Sequence, residues 1–301
     1  MHRHVYTCHR AKKEFHLDGN INKPFWEDAP YTDEFLDIQG SHMPLPRFVT
    51  RAKMLWDDEN LYVAADLAGD EIWGHLTERD SVIYFDNDFE IFVDPDSDTY
   101  HYYEFEMNVL NTVWDLFLAE PYRDGGSGLN GYDMHGLRTA VHVDGSINDP
   151  SAENKGWSVE VVIPFSALYE YQKERRAPKN GEFYRMNFSR VQWNVDVKDN
   201  TYVKRTDENG MFSRKTTGYG LRPASSIFII RSCGLSSSSP RTARMLHATA
   251  PFRRTSIANG SSASCITQKI FCLRQPAPTA AASMNCRKRW MRMHRTTGIN
   301  L

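Results

Sequence analysis

Carboxylates are the side chains of this chain with the most chemical capacity. The run Asp88-Phe89-Glu90-Ile91-Phe92-Val93-Asp94 spaces acids two and four apart, and Glu104 and Glu106 follow. Glycosidic hydrolysis needs only two carboxylates, about 5 or about 6.5–9.5 Å apart, so an acid-rich chain offers pairs such as Glu90 and Glu104 by number alone. Asp94-Pro95-Asp96-Ser97-Asp98 has the spacing of a calcium loop. Thr99 and Phe105 stand where an EF-hand needs Gly and Glu, and a plain Asp-Pro turn is the simpler account. His101 and His135 are lone imidazoles in loop-like sequence and read as polar surface rather than metal ligands. There is no G-x-S-x-G, H-E-x-x-H or phosphate-binding glycine loop. Binding without catalysis is therefore favoured over hydrolysis.

The elements that must position these groups are strands. Arg51–Trp56 and Leu61–Leu67 flank the polar turn Asp57-Asp58-Glu59-Asn60, a hairpin signal. Residues 88–94, 102–108 and 113–118 predict strands, and 88–94 and 102–108 alternate polar and apolar. Trp157–Ile163 is a further strand, broken by Pro164 into a short helix near Phe165–Tyr169, and Phe183–Val191 resumes the alternation. Phe15-His16-Leu17 reads as a strand running into the Asp18-Gly19 turn, with a helical turn over 22–29 carrying Phe25 and Trp26 to the core. Phe89, Ile91 and Val93 are predicted core, Trp26 and Trp56 likewise, and Glu90 falls on the opposite face, where a solvated carboxylate is the ordinary expectation. Together these predict an all-β fold, an antiparallel β-sandwich of two sheets and about 8–10 strands with short helices.

Composition divides the chain near residue 211. All 38 Asp and Glu lie at or before Glu208, against 21 Lys and Arg up to residue 210, a net charge of −17. Residues 211–301 carry 15 Lys and Arg and no acid, four of the five cysteines, and only Trp290 of the seven tryptophans. The expected organisation is a folded domain over 5–210 and a basic, acid-free tail of low order over 211–301. A reading-frame error explains the loss of acids better than natural disorder does. The scattered arginines carry no nucleic-acid-binding module, so no nucleic-acid partner is expected. The cysteine spacings fit neither a zinc site nor a disulfide framework. No apolar run approaches the roughly 18 residues of a membrane span, and the first residues offer no apolar core for a signal peptide.

Three runs resemble the family 9 carbohydrate-binding modules over about residues 6–210. They are Leu17-Asp18-Gly19 with Phe25-Trp26-Glu27-Asp28-Ala29; Met54-Leu55-Trp56-Asp57-Asp58-Glu59-Asn60-Leu61-Tyr62-Val63; and Asn87–Asp94 followed by Phe105-Glu106-Met107-Asn108. The resemblance implies a sandwich that binds poly- or oligosaccharide, in the setting of polysaccharide degradation and of secreted or periplasmic glycoside hydrolases. It requires no cofactor, and structural calcium occurs in several members, here with no ligands assigned. Sugar is held there between aromatic rings, whose faces pack against pyranose C–H groups while rim groups bond the hydroxyls. By position, Tyr84 falls on the first stacking aromatic and Glu90 and Asn108 on the hydroxyl-binding carboxylate and amide. Tyr84 replaces a Trp, and Glu106 stands where some members have a basic residue. The second aromatic is expected in a Trp-containing segment after residue 211, which is missing, so the sandwich is expected to lack one or two closing strands and one wall of its site. Related sandwiches also bind haem through Met, His or Lys, which makes Met107 and Met186 axial candidates for an alternative electron-transfer function.

Overall fold

A computed structural model describes residues 5–38, 42–206 and 208, together with the backbone of 218–219 and 227–231. The other expectations for 211–301 lie outside the described residues.

The chain is all-β with four short 3₁₀ turns among the described residues. Its strands are β1 (Val5–Arg10), β2 (Leu36–Asp37), β3 (Thr50–Trp56), β4 (Asn60–Ala68), β5 (Asp88–Asp94), β6 (Tyr102–Asn108) and β7 (Val113–Leu118). They continue as β8 (Arg138–Asp144), β9 (Gly156–Pro164), β10 (Phe183–Arg190), β11 (Val195–Lys198), β12 (Thr201–Lys204), β13 (Gly218–Tyr219) and β14 (Ile227–Arg231). The main hydrogen-bonded order is β7-β6-β5-β10-β14-β1-β3-β4-β9-β8, with β11 and β12 as a separate hairpin.

Two antiparallel blocks, β7-β6-β5-β10 and β3-β4-β9-β8, form the layers of the sandwich. Alternating side chains put Phe89, Ile91 and Phe105 of one block and Met54, Val63 and Val161 of the other into one buried cluster. Met107 and Met186, at 0% and 3% exposure, lie in the same cluster and fill core, so neither is presented as a haem ligand. The two expected sheets are joined into one path by β14 and β1, which pair in parallel from Val5↔Ile227 to His9↔Arg231. The expected organisation ended the folded domain at 210 with one or two closing strands lacking; a strand within the segment assigned to the tail, β14, pairs instead between β10 and β1.

The β3–β4 hairpin turns where predicted. Asp57 Oδ1 accepts from Glu59 N and Asn60 N at 2.8 and 2.7 Å, and its other oxygen accepts from Tyr62 Oη at 2.7 Å. Residues 15–17 do not form a strand. Phe15 instead packs against Phe25 and Tyr62, with ring centroids 4.6 and 4.9 Å away, in a small second core under Trp26. The following turn needs Gly19: its φ is +80°, and a Cβ there would stand 2.3 Å from the Val141 carbonyl carbon.

Candidate functional site

The outer face of the β7-β6-β5-β10 block gathers the carboxylates singled out in the sequence. With Phe89, Ile91 and Val93 turned inward, Asp88, Glu90, Phe92 and Asp94 turn outward. Register then writes rows across the strands. Ser189 of β10 pairs with Glu90, Glu90 with Glu106, and Glu106 with Trp114. The next row runs Asn187, Phe92, Glu104, Leu116, and Asp88 pairs with Asn108 at the far end.

Glu90 is 7% exposed, so the carboxylate expected in solvent is buried instead. Asp88, Glu90 and Glu106 have ligand oxygens all within 4.8 Å of one another. Burial, with the Glu90 charge second, holds the Asp88 carboxyl well above the usual carboxylate range. Asp88 Oδ1 accepts from Val191 N at 2.9 Å, while Asp88 Oδ2, Ser189 Oγ and Asn187 Oδ1 are buried without a hydrogen-bond partner. Glu104, one row on, accepts from Tyr122 Oη at 2.8 Å; burial, with the Glu104 charge second, raises the tyrosine's pKa.

Tyr84 sits on a 3₁₀ turn, Ile83–Phe85, anchored by the fully buried Ile83. Its backbone N donates to Glu106 Oε2 at 3.1 Å, and its ring lies 6.1 Å from that of Trp114. Trp193, just beyond β10, donates from Nε1 to the Tyr84 carbonyl at 2.9 Å and from its backbone N to Asn87 Oδ1 at 2.8 Å. Lys204 of β12 places its ammonium 4.2 Å from the Trp193 ring centroid and also faces Phe85 and Trp73; burial lowers its pKa. Tyr84, Trp114 and Trp193 are all half-buried.

The three expected ligand residues therefore converge on one end of β5 and β6, but with different freedom. Asn108 is fully buried and its amide is committed. Nδ2 donates to the Leu76 carbonyl at 2.8 Å and to Asp86 Oδ2 at 3.0 Å, and Oδ1 accepts from Leu110 N and Thr112 N, both at 3.0 Å. These bonds close the β6–β7 turn.

Asp94, Asp96 and Asp98 also lie within 4.8 Å of one another. Their oxygens accept from backbone N–H groups of Ser97, Thr99, Asp98 and Tyr100, the pattern of stacked Asx turns. Asp94 is pushed up to about 7, chiefly by burial. His101 stacks on Tyr171, 4.9 Å away, and neither His101 nor His135 belongs to a metal-capable cluster among the described residues.

Sequence reasoning missed Trp114 and Trp193 as site residues. Trp114 lies on a predicted strand, and register alone puts it opposite Glu106. The second aromatic was sought past residue 211, whereas Trp193 already stands against the Tyr84 turn.

A family model described as carbohydrate family 9 binding domain-like matches residues 17–220. No curated protein matches the chain. Among solved structures, a family 9 carbohydrate binding module from Caldicellulosiruptor kristjanssonii in complex with cellotriose aligns at 15% identity. That alignment covers 79% of this chain and all of the other, with a TM-score of 0.47. The module from the same organism in complex with glucose aligns at 15% identity over 76% and 98% of the two chains, with a TM-score of 0.45.

Proposed function

Because the chain belongs to the carbohydrate family 9 binding domain-like family, we propose that the outer face of β10, β5, β6 and β7 binds a saccharide without cleaving it. The observation that carries this reading is the placing of half-buried Tyr84, Trp114 and Trp193 around buried Glu90 and Glu106. A pyranose offers apolar C–H faces and a rim of hydroxyls, so rings beside carboxylate acceptors match it in both respects.

In this reading Tyr84 and Trp193 supply the ring faces and Glu90 accepts from sugar hydroxyls. Asn108 acts through position: its four hydrogen bonds to Leu76, Asp86, Leu110 and Thr112 fix the end of β6 beside the site. The partner is an oligo- or polysaccharide, and the setting is delivery of a polysaccharide-degrading system to its substrate.

Titration of the full chain with glucose, cellotriose and other short oligosaccharides, followed by tryptophan fluorescence and calorimetry, tests the reading. Saturable binding is expected, weakened about tenfold or more by Trp193→Ala and by Glu90→Gln, without release of reducing sugar. Equal binding by wild type and Trp193→Ala would move the site elsewhere. Sugar release that stops in Glu90→Gln would replace binding with hydrolysis.

A further inference from the structure

The hydrogen-bonded path ends in β7 on one side and in β8 on the other, and the two ends differ. Beside β7, Leu129 bridges to Phe117 and donates its backbone N to the Phe117 carbonyl at 2.8 Å. Strand β8, seven residues long, pairs with β9 alone among the described residues. The Asn111 amide reaches the Thr139 carbonyl at 3.5 Å, a long and exposed bond that an incoming strand can displace. An edge of this length offers alternate backbone N–H and C=O groups as a template for another strand.

The side chains of β8 suit a second copy of the same strand. Register against β9 puts Thr139, Val141 and Val143 on the face of Val161, Val159 and Trp157. Val141 and Val143 pack on the main core yet are only half-buried, because the sheet stops at β8. Antiparallel pairing of two β8 strands about Val141 sets Val141 against Val141 and Thr139 against Val143, which continues that row across the join. The same register sets exposed Arg138 against exposed Asp144, twice by symmetry. Within its own chain Asp144 has Lys155 at 3.8 Å, and both side chains are well exposed, so that pair is too loose to compete. Sliding the partner strand by two residues sets Arg138 against His142, or His142 against itself, and leaves the opposite charges unmatched.

We propose that this chain forms a two-fold dimer through antiparallel pairing of its β8 strands. Being isologous, the join uses the β8 edge of both copies and stops at two. It lies in the β3-β4-β9-β8 block, not in the block that carries the proposed saccharide face, so it stands independently of that reading.

Sedimentation velocity of the full chain in sugar-free buffer, over a range of concentrations, tests the proposal. A reversible species with the mass of two chains is expected. Arg138→Asp and Asp144→Arg each turn two attractive pairs into two repulsive ones, and each should weaken the dimer about tenfold or more. The double variant Arg138→Asp, Asp144→Arg should restore it, a rescue that damage to the monomer cannot give. Both side chains are exposed, so the circular dichroism of all three variants should match wild type. A monomer at every concentration overturns the proposal. A dimer indifferent to the single reversals places the join elsewhere and overturns it too, as does a double variant that stays dissociated.

Discussion

Replacing Glu160 should be among the most damaging single changes in this protein. The residue lies in β9 at 0% exposure, with its carboxylate under the opening Leu17–Trp26 segment. It accepts from Trp26 Nε1 at 2.6 Å, Gly19 N at 2.9 Å, Asp18 N at 3.1 Å and Lys23 Nζ at 2.8 Å. In Glu160→Ala the Trp26 and Gly19 donors stay buried without an acceptor. At about 1–3 kcal/mol each, with loss of the charge assistance, they cost about 4 kcal/mol together. Lys23 suffers less: it keeps Asp18 Oδ1 at 2.8 Å and is 16% exposed. Lys23→Ala should therefore cost only about 1 kcal/mol, since the carboxylate retains its three N–H donors.

Urea unfolding followed by tryptophan fluorescence measures the difference. With a slope of about 2 kcal/mol/M, Glu160→Ala should lower the midpoint by about 2 M and Lys23→Ala by about 0.5 M. Glu160→Gln should fall between them, because its amide hydrogens face donors and only one oxygen still accepts. A Glu160→Ala midpoint within about 0.5 M of wild type would refute the account of the N–H cradle. Equal losses in Glu160→Ala and Lys23→Ala would show that the ion pair, and not the backbone and indole donors, ties the opening segment to β9.

Asn108→Ala should cost about 2–3 kcal/mol in chemical unfolding, because it strips a partner from buried Asp86 and leaves Leu110 N and Thr112 N without their acceptor. Gly19→Ala should cost more than about 2 kcal/mol in the same assay, since it combines a left-handed φ with a backbone clash at Val141. Asp94 is held at about 7 against an ordinary 3.8, so between those values the folded state keeps a proton that the unfolded state releases. Its contribution to stability is thus largest at low pH and falls, by up to about 4 kcal/mol, as pH rises to about 7, then levels. The difference in stability between wild type and Asp94→Asn across that range should show this slope, and a flat difference would remove Asp94 as its source.

The antiparallel frame was legible because its signals are local. Alternation within Asp88–Asp94 and the Asp57 turn between β3 and β4 need only neighbouring residues to be recognised. What failed depends on distant partners. Residues 15–17 alternate well enough for a strand, but the aromatic rings of Phe25 and Tyr62 draw Phe15 into an irregular segment. Strand β8, half exposed along its length, lacks an apolar stripe and is identified by its pairing with β9. Strand β14 lies in the stretch where composition predicts no order, and its parallel partner β1 begins more than two hundred residues earlier.

The site shows the same division more sharply. Alternation correctly turned Glu90 away from the core-facing Phe89 and Ile91, yet the inference from outward to solvated was wrong. Period 2 fixes which face a side chain takes; it does not say what stands opposite it. That is set by register, and one register pair changes the meaning of two residues here. Read alone, Glu106 is an acid at a position where the resemblance gives some members a basic residue, and Glu90 is a proposed hydroxyl acceptor. Placed as cross-strand partners, with Asp88 beside them and Ser189 on the next strand, they form a buried row of carboxyl groups, in which burial and the Glu90 charge hold Asp88 well above the usual carboxylate range.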